Sequence, residues 1–97
     1  MRKAENMTPY RPAISKKLNA KMEKIYRKDR QLYDALMKKI WEILNDPHHY
    51  KPLRYDLKGF YRVHIEKSFV LIFSVEESSG IVKFIDFEHH DEIYRRK

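Results

Sequence analysis

Hydrophobic positions along this chain change period, from a helical repeat in the first half to strand alternation in the second. A first amphipathic stripe recurs at i, i+4 and i+7 and consists of Leu18, Met22 and Ile25. A second stripe recurs at i, i+4, i+8 and i+11 and consists of Leu32, Leu36, Ile40 and Ile43. Ser15 and Asp29 are suitable N-caps, and the second helix should end near Asn45, before Pro47. The pattern predicts two antiparallel helices that pack on one face of a sheet.

Three strand patterns fill the second half. Phe60 to Ile65 alternates, which places Arg62, His64 and, beyond the strand, Glu66 on one face. Phe69 to Val75 is almost wholly apolar, as in a central strand covered on both faces. Ile81 to Phe87 is the third strand. Short turns at 66–68 and 76–80 join these segments, so we predict an antiparallel three-stranded meander.

The N-terminal segment adds one further strand. Tyr10 to Ile14 predicts a short strand, and Pro12 confines it to a sheet edge because proline cannot donate to a ladder. Residues 1–9 are polar and unpatterned, which predicts a flexible tail. The 97 residues therefore predict one α+β domain, with an edge strand and a two-helix hairpin packed on an antiparallel sheet.

Charge is distributed unevenly. Residues 1–30 hold ten Lys and Arg against three Asp and Glu, whereas residues 31–97 hold eleven of each, so the excess of +7 lies at the N-terminal end. A basic end favours a polyanionic partner, either nucleic acid or an acidic protein. The alternative is a solvated helix surface that contributes only solubility. Zero cysteines exclude disulfides, and no apolar run is long enough to span a membrane, so we expect a cytoplasmic protein.

The side chains that could take part in catalysis lie outside the two predicted helices. The five histidines are His48, His49, His64, His89 and His90. Arg62 and His64 should project from one strand face, about 6.6 Å apart along the strand. An imidazole exchanges protons near neutral pH and a guanidinium offers paired donors to phosphate, a combination that suits phosphodiester chemistry. Ordinary polarity of an exposed strand is the competing interpretation.

The end of the chain is open to similar alternatives. If a short helix begins near His89, then His90 and Tyr94 share one helical face. Tyr94 is suited to stacking on an unpaired base, although it can also cover the core edge. His64 with His89, His90 and Asp91 is a weak metal candidate, because the histidines lack a ligand spacing such as H-x-x-x-H. Trp41 can complete the core or lie at a partner surface.

Three segments together resemble a known family. The run KGFYRVHIE, an apolar FVLIF strand and the closing FEHHDEIYRR resemble the RelE/ParE superfamily of toxins from toxin–antitoxin operons, and most closely its YafQ-like branch. That branch carries a histidine where His64 stands and another four residues before an aromatic, as His90 stands before Tyr94. The resemblance implies a RelE-like, microbial-RNase-type fold with a short C-terminal helix.

The resemblance also implies a function. It indicates a type II toxin that acts as a ribosome-dependent mRNA endoribonuclease and inhibits translation by metal-independent acid/base cleavage, with no cofactor. Arg62 then clamps phosphate, and His64 and His90 form the acid/base pair in an undecided order. The remaining RNA-binding candidates are Lys51, Arg54, Lys58, His89 and Tyr94. The expected partners are an acidic RelB- or DinJ-like antitoxin and mRNA in the ribosomal A site, with operator DNA reached only through the antitoxin and no membrane.

Several residues depart from the family pattern. Many relatives carry an arginine on or just after the last strand, where this chain has Asp86 and Glu88. Carboxylates there are expected to repel phosphate. Lys51 replaces the histidine that precedes Pro-Leu in the YafQ-like branch. Two alternatives therefore stay open: a ParE-like gyrase inhibitor without catalytic histidines, and a catalytically silent relative that binds an antitoxin.

Overall fold

The computed structural model describes residues 8–50 and 59–89. Its elements, in chain order, are β1 (Arg11–Ile14), α1 (Lys16–Lys28), α2 (Arg30–Asn45), a 3-10 turn (Pro47–His49), β2 (Phe60–Ile65), β3 (Phe69–Glu76) and β4 (Ile81–His89). The predicted edge strand, helices and meander are all present. The flexible tail, for residues 1–7, and the C-terminal helix were predicted for segments outside the described residues.

Side-chain caps start both helices at the predicted residues. The hydroxyl of Ser15 accepts the Leu18 N–H at 3.0 Å, and the carboxylate of Asp29 accepts the Leu32 N–H at 3.1 Å. These bonds satisfy amides that have no partner within the helix. The Ser15 hydroxyl also donates to the carbonyl oxygen of Ile85 at 2.7 Å. The start of α1 is therefore fixed against β4.

The sheet has the order β1-β4-β3-β2, and its meander is antiparallel as predicted. β1 differs, because it pairs with β4 in parallel, from Arg11 opposite Ile81 to Ile14 opposite Phe84. The sheet is therefore mixed rather than antiparallel throughout. The direction of β1 depends on a partner about 70 residues away along the chain, which a local hydrophobic pattern does not specify. β1 is an edge strand, as Pro12 requires.

The core lies between the helices and one face of the sheet. Both helices contribute fully buried residues, among them Leu18 and Leu36, which pack in one cluster with Phe73 and Phe84 of the sheet. Phe73 has no exposed surface and stacks on Tyr61, with ring centroids 5.2 Å apart. β2 contributes three residues from its helix-facing side: Tyr61, Val63 and Ile65. The opposite side of β2 therefore carries Phe60, Arg62 and His64.

The turn after β2 corrects one expectation. Glu66 and Lys67 have φ angles of 50° and 62°, in the left-handed region. This conformation ends the alternation at Ile65, so Glu66 belongs to the turn rather than to the strand face that holds Arg62 and His64. The second turn uses glycine at its left-handed position, since Gly80 has a φ of 68°. Within the described residues, no helix is long and apolar enough to cross a bilayer.

Candidate functional site

Two cross-strand rows run over the sheet face that points away from the helices. Arg62 pairs with Ile72, which pairs with Asp86, and His64 pairs with Val70, which pairs with Glu88. Directly paired residues of antiparallel strands share a face. The basic pair of β2 and the acidic pair of β4 therefore lie on one surface, separated by the single strand β3, or about 10 Å.

Two lysines of α1 neutralise the acidic pair. The Lys21 ammonium lies 2.7 Å from Asp86 Oδ1 and 2.9 Å from Glu88 Oε2, and it donates to the Phe87 carbonyl oxygen at 3.1 Å. The Lys17 ammonium lies 3.2 Å from Asp86 Oδ2. Because β1 ends at Ile14, the last residues of β4 have α1 beside them instead of a strand. The two lysines reach the carboxylates at this edge.

The contacts with the two lysines lower the pKa of Asp86. Burial raises the pKa, but hydrogen bonds from Lys21, the Phe87 N–H and Lys17 outweigh it, so the pKa lies below its ordinary value. Asp86 therefore stays ionised, as the ion pairs require. The carboxylates expected to repel phosphate are charge-balanced by the lysines, and the net charge of these four side chains is zero.

The lowered pKa gives a stability prediction. A depressed carboxyl pKa contributes stability above the pKa of the unfolded state, about 3.9, and this contribution is lost as pH falls through the folded pKa. Asp86→Asn should cost about 1–3 kcal/mol in free energy of unfolding at neutral pH. The difference from the wild type should shrink as pH falls below about 4. Urea titrations over this pH range measure both quantities, and a difference that does not vary with pH would contradict the ion-pair role.

The predicted site residues fall into three groups. Arg62 and His64 share one face of the sheet, as predicted, and each has an interaction partner. β4 continues through His89, so no helix begins there, and His89 pairs with Phe69 on the helix-facing side. The His89 and Phe69 rings meet edge to face at 5.6 Å. Five predicted residues lie outside the described residues: Lys51, Arg54, Lys58, His90 and Tyr94.

Lys17 and Lys21 are the residues that the sequence analysis missed. The sequence analysis counted them only within the basic charge of residues 1–30, whereas the structure engages them with β4. Their i, i+4 spacing places them on the same flank of α1, next to the buried stripe. The sequence signal for these ion pairs was this lysine spacing together with two carboxylates at i, i+2 on the last strand. The signal did not indicate that the first helix and the last strand are adjacent.

A second polar cluster lies at the other end of the sheet, where β2 begins. The ring nitrogens of His48 contact the Glu77 carboxylate and the Tyr61 hydroxyl, the latter at 3.3 Å. Tyr10 donates its hydroxyl to Glu77 at 3.0 Å, and this bond is the main reason that the pKa of Tyr10 is raised. The cluster joins β2, the residue before β1, the 3-10 turn and the turn after β3. It does not include Arg62 or His64.

Metal binding finds no support in residues 8–50 and 59–89, where no group of three or more His, Cys, Asp or Glu side chains is placed to hold an ion. His90 and Asp91, which completed the metal candidate, lie outside these ranges. The described site therefore consists of a guanidinium, an imidazole and two lysine-paired carboxylates.

This architecture, two helices on one face of a four-stranded mixed sheet, is shared by known toxins. The M. tuberculosis structure described as the toxin–antitoxin complex RelBE2 has a TM-score of 0.72 at 16% identity, covering 86% of this chain and all of that chain. The isolated E. coli RelE toxin has a TM-score of 0.70 at 20% identity, covering 89% of this chain and 92% of RelE. At these identities the likeness shows the fold.

Sequence comparisons show the family. The sequence model described as "ParE toxin of type II toxin-antitoxin system, parDE" matches residues 13–94. A Methanocaldococcus jannaschii protein named "Putative toxin RelE4" is 47% identical over 88 residues, which are 91% of this chain and 94% of that protein. The chain belongs to the RelE/ParE superfamily and is a RelE-like toxin of a toxin–antitoxin system.

Proposed function

We propose that this toxin is a ribosome-dependent mRNA endoribonuclease that arrests translation by metal-independent acid/base cleavage. The observation that carries the proposal is the position of Arg62 and His64, neighbours on the face of β2 that points away from the helices. His64 is exposed on this face and Arg62 is half-buried, whereas Val70, between His64 and Glu88, has no exposed surface. We therefore place the message along β2, where it can meet both groups. The whole-chain similarity to a protein named as a RelE toxin supports the same choice.

Cleavage of an RNA phosphodiester requires three roles. A base removes the proton from the 2′-hydroxyl, a cation stabilises the dianionic phosphorane, and an acid protonates the departing 5′-oxygen. Arg62 is the phosphate clamp in this proposal, because its guanidinium donates two parallel hydrogen bonds to phosphate oxygens. His64 is one proton-transfer group and His90 the other. Lys51, Arg54 and Lys58 contact the RNA backbone, and Tyr94 contacts a base. His89 lies on the opposite, helix-facing side of the sheet and has no role in this arrangement.

The charge balance on β4 removes one objection to this proposal. Uncompensated carboxylates opposite Arg62 and His64 would repel the message. Lys21 and Lys17 cancel that charge, so these two carboxylates do not repel the message. No cofactor is needed. The message is held mainly by the ribosome, because so small a site offers few contacts of its own.

The family match favours a second candidate, a ParE-like inhibitor of gyrase, since the matching sequence model is described by that name. Such an inhibitor has no use for proton-transfer histidines. A catalytically silent antitoxin-binding relative is the third candidate. In all three cases the partner is an acidic antitoxin of the RelB or DinJ type, disordered in part until it wraps the toxin in the cytoplasm. Operator DNA is contacted only through that antitoxin.

Induction in a bacterial host, with translation rate and mRNA 5′ ends as readouts, tests these candidates. We expect the wild type to stop translation and to generate new 5′ ends within translated messages. The His64→Ala/His90→Ala double variant should do neither. Equal toxicity of the two proteins without cleavage would select gyrase inhibition. Growth unaffected by either protein, with both shown to be folded, would select the silent relative.

A further inference from the structure

The largest exposed apolar side chains of the described residues lie on the outer surface of the helical hairpin. Trp41 is 44% exposed and Tyr26 is 47% exposed. Trp41 is therefore not a core residue. It continues a row on α2 with Met37 and Tyr33, spaced by four residues over about 12 Å, and these two side chains are half-buried because they also pack against the core. Tyr26 of α1 packs edge-on against Tyr33, with ring centroids 4.9 Å apart.

A charged row runs beside this apolar row. It also repeats every four residues, with alternating sign, and consists of Arg30, Asp34, Lys38 and Glu42. The Arg30 guanidinium lies 4.2 Å from the centre of the Tyr26 ring and 3.9 Å from Asp34. Glu42 accepts from Lys39 at 3.0 Å. Rows at i±4 spacing are the ridges that interdigitate in the commonest class of helix–helix packing.

We propose that two copies of this chain form a two-fold symmetric dimer through the outer face of α2. With the helices antiparallel and the symmetry axis near Met37, Trp41 of one copy meets Tyr33 of the other, twice. The same operation brings Asp34 of one copy to Lys38 of the other, also twice. Both rows are therefore complementary to themselves, which a two-fold interface requires.

The charge pattern selects a second copy over an acidic partner. The charged row holds two cations and two anions, so a strongly acidic segment would be repelled there as much as attracted. Lys17 and Lys21 do not oppose self-association at this face, because they are engaged with β4. A crossing of two helices buries a small area, so the dimer should be weak and should dissociate on dilution.

Sedimentation velocity on the full chain over a dilution series tests the dimer. We expect the mass to fall from dimer to monomer on dilution. Trp41 is the only tryptophan, so its emission should shift to longer wavelength over the same range. Trp41→Glu should be monomeric throughout. A wild type that is monomeric at every concentration would overturn the proposal. If that monomer then bound the acidic protein encoded beside its gene through Trp41, the outer face of α2 would be the binding site for that protein and not a dimer interface.

Charge reversal tests the register of the dimer. Asp34→Lys and Lys38→Asp should each abolish dimerisation, since like charges would then meet at both symmetry-related pairs. An equimolar mixture of the two variants should restore a heterodimer, because each introduced charge then faces its opposite. Effects within one helix do not depend on mixing. Lys83→Asp makes the same charge change on the sheet and should leave the dimer intact. Failure of the mixture to associate would overturn the antiparallel arrangement.

Discussion

His64→Ala should lower the rate of message cleavage by about 10²- to 10⁴-fold, the contribution typical of a positioned acid or base. The histidine is exposed and shares one face of β2 with Arg62, on the side of the sheet that points away from the helices. In the proposed mechanism, its replacement removes one proton-transfer group and leaves Arg62, the phosphate clamp, in place. The measurement is a single-turnover cleavage rate on programmed ribosomes.

His48→Ala is the matched control for this experiment. It removes an imidazole from the cluster at the other end of the sheet, which contacts Glu77 and Tyr61. Its cleavage rate should stay within a few-fold of the wild type, with the free energy of unfolding measured for both variants. Undiminished cleavage by a folded His64→Ala protein would remove His64 from the mechanism, and would leave the roles of Arg62 and His90 to be tested separately.

Phe73→Ala should reduce the free energy of unfolding by about 3–5 kcal/mol, as large-to-small changes at fully buried aromatics do. Phe73 has no exposed surface and contacts three aromatic rings, those of Tyr50, Tyr61 and Phe84. Its removal leaves a cavity where the sheet and the helices meet. A domain of this size is stable by only about 5–15 kcal/mol, so a large part of its stability depends on this ring.

Urea denaturation followed by Trp41 fluorescence measures the loss. Phe60→Ala is the control, because it makes the same change on β2 at a half-buried position on the opposite face of the sheet. It should cost clearly less than Phe73→Ala. Equal losses would show that the core is not concentrated on the helix-facing side of the sheet.

Local patterns predicted the helices well because their determinants are close together in sequence. Ser15 and Asp29 cap amides three residues further on, and both helices begin where the caps place them. The meander was predictable for a similar reason, since short turns join its strands and fix their order. The face shared by Arg62 and His64 follows from their spacing on one strand.

Contacts between distant segments were not predictable in this way. The pairs between Lys21 and the carboxylates of Asp86 and Glu88 join residues 65 and 67 positions apart. The sequence alone predicted repulsion at these carboxylates, and the fold supplies the compensating cations. The exposure of Trp41 was undecided for the same reason, because an apolar residue on the flank of a helical stripe is covered or exposed according to how the helix is tilted on its neighbours.

The sequence by itself determined the family, the two helices and their caps, and the antiparallel meander. It also determined that Arg62 and His64 lie on the same face of one strand. Each depends on neighbours a few residues away or on whole-chain resemblance. Only the tertiary structure decided the parallel attachment of β1, the neutralisation of Asp86 and Glu88, and the exposure of the α2 surface. These depend on which distant segments become adjacent, and packing of the whole core decides this because many locally equivalent arrangements have the same hydrophobic pattern.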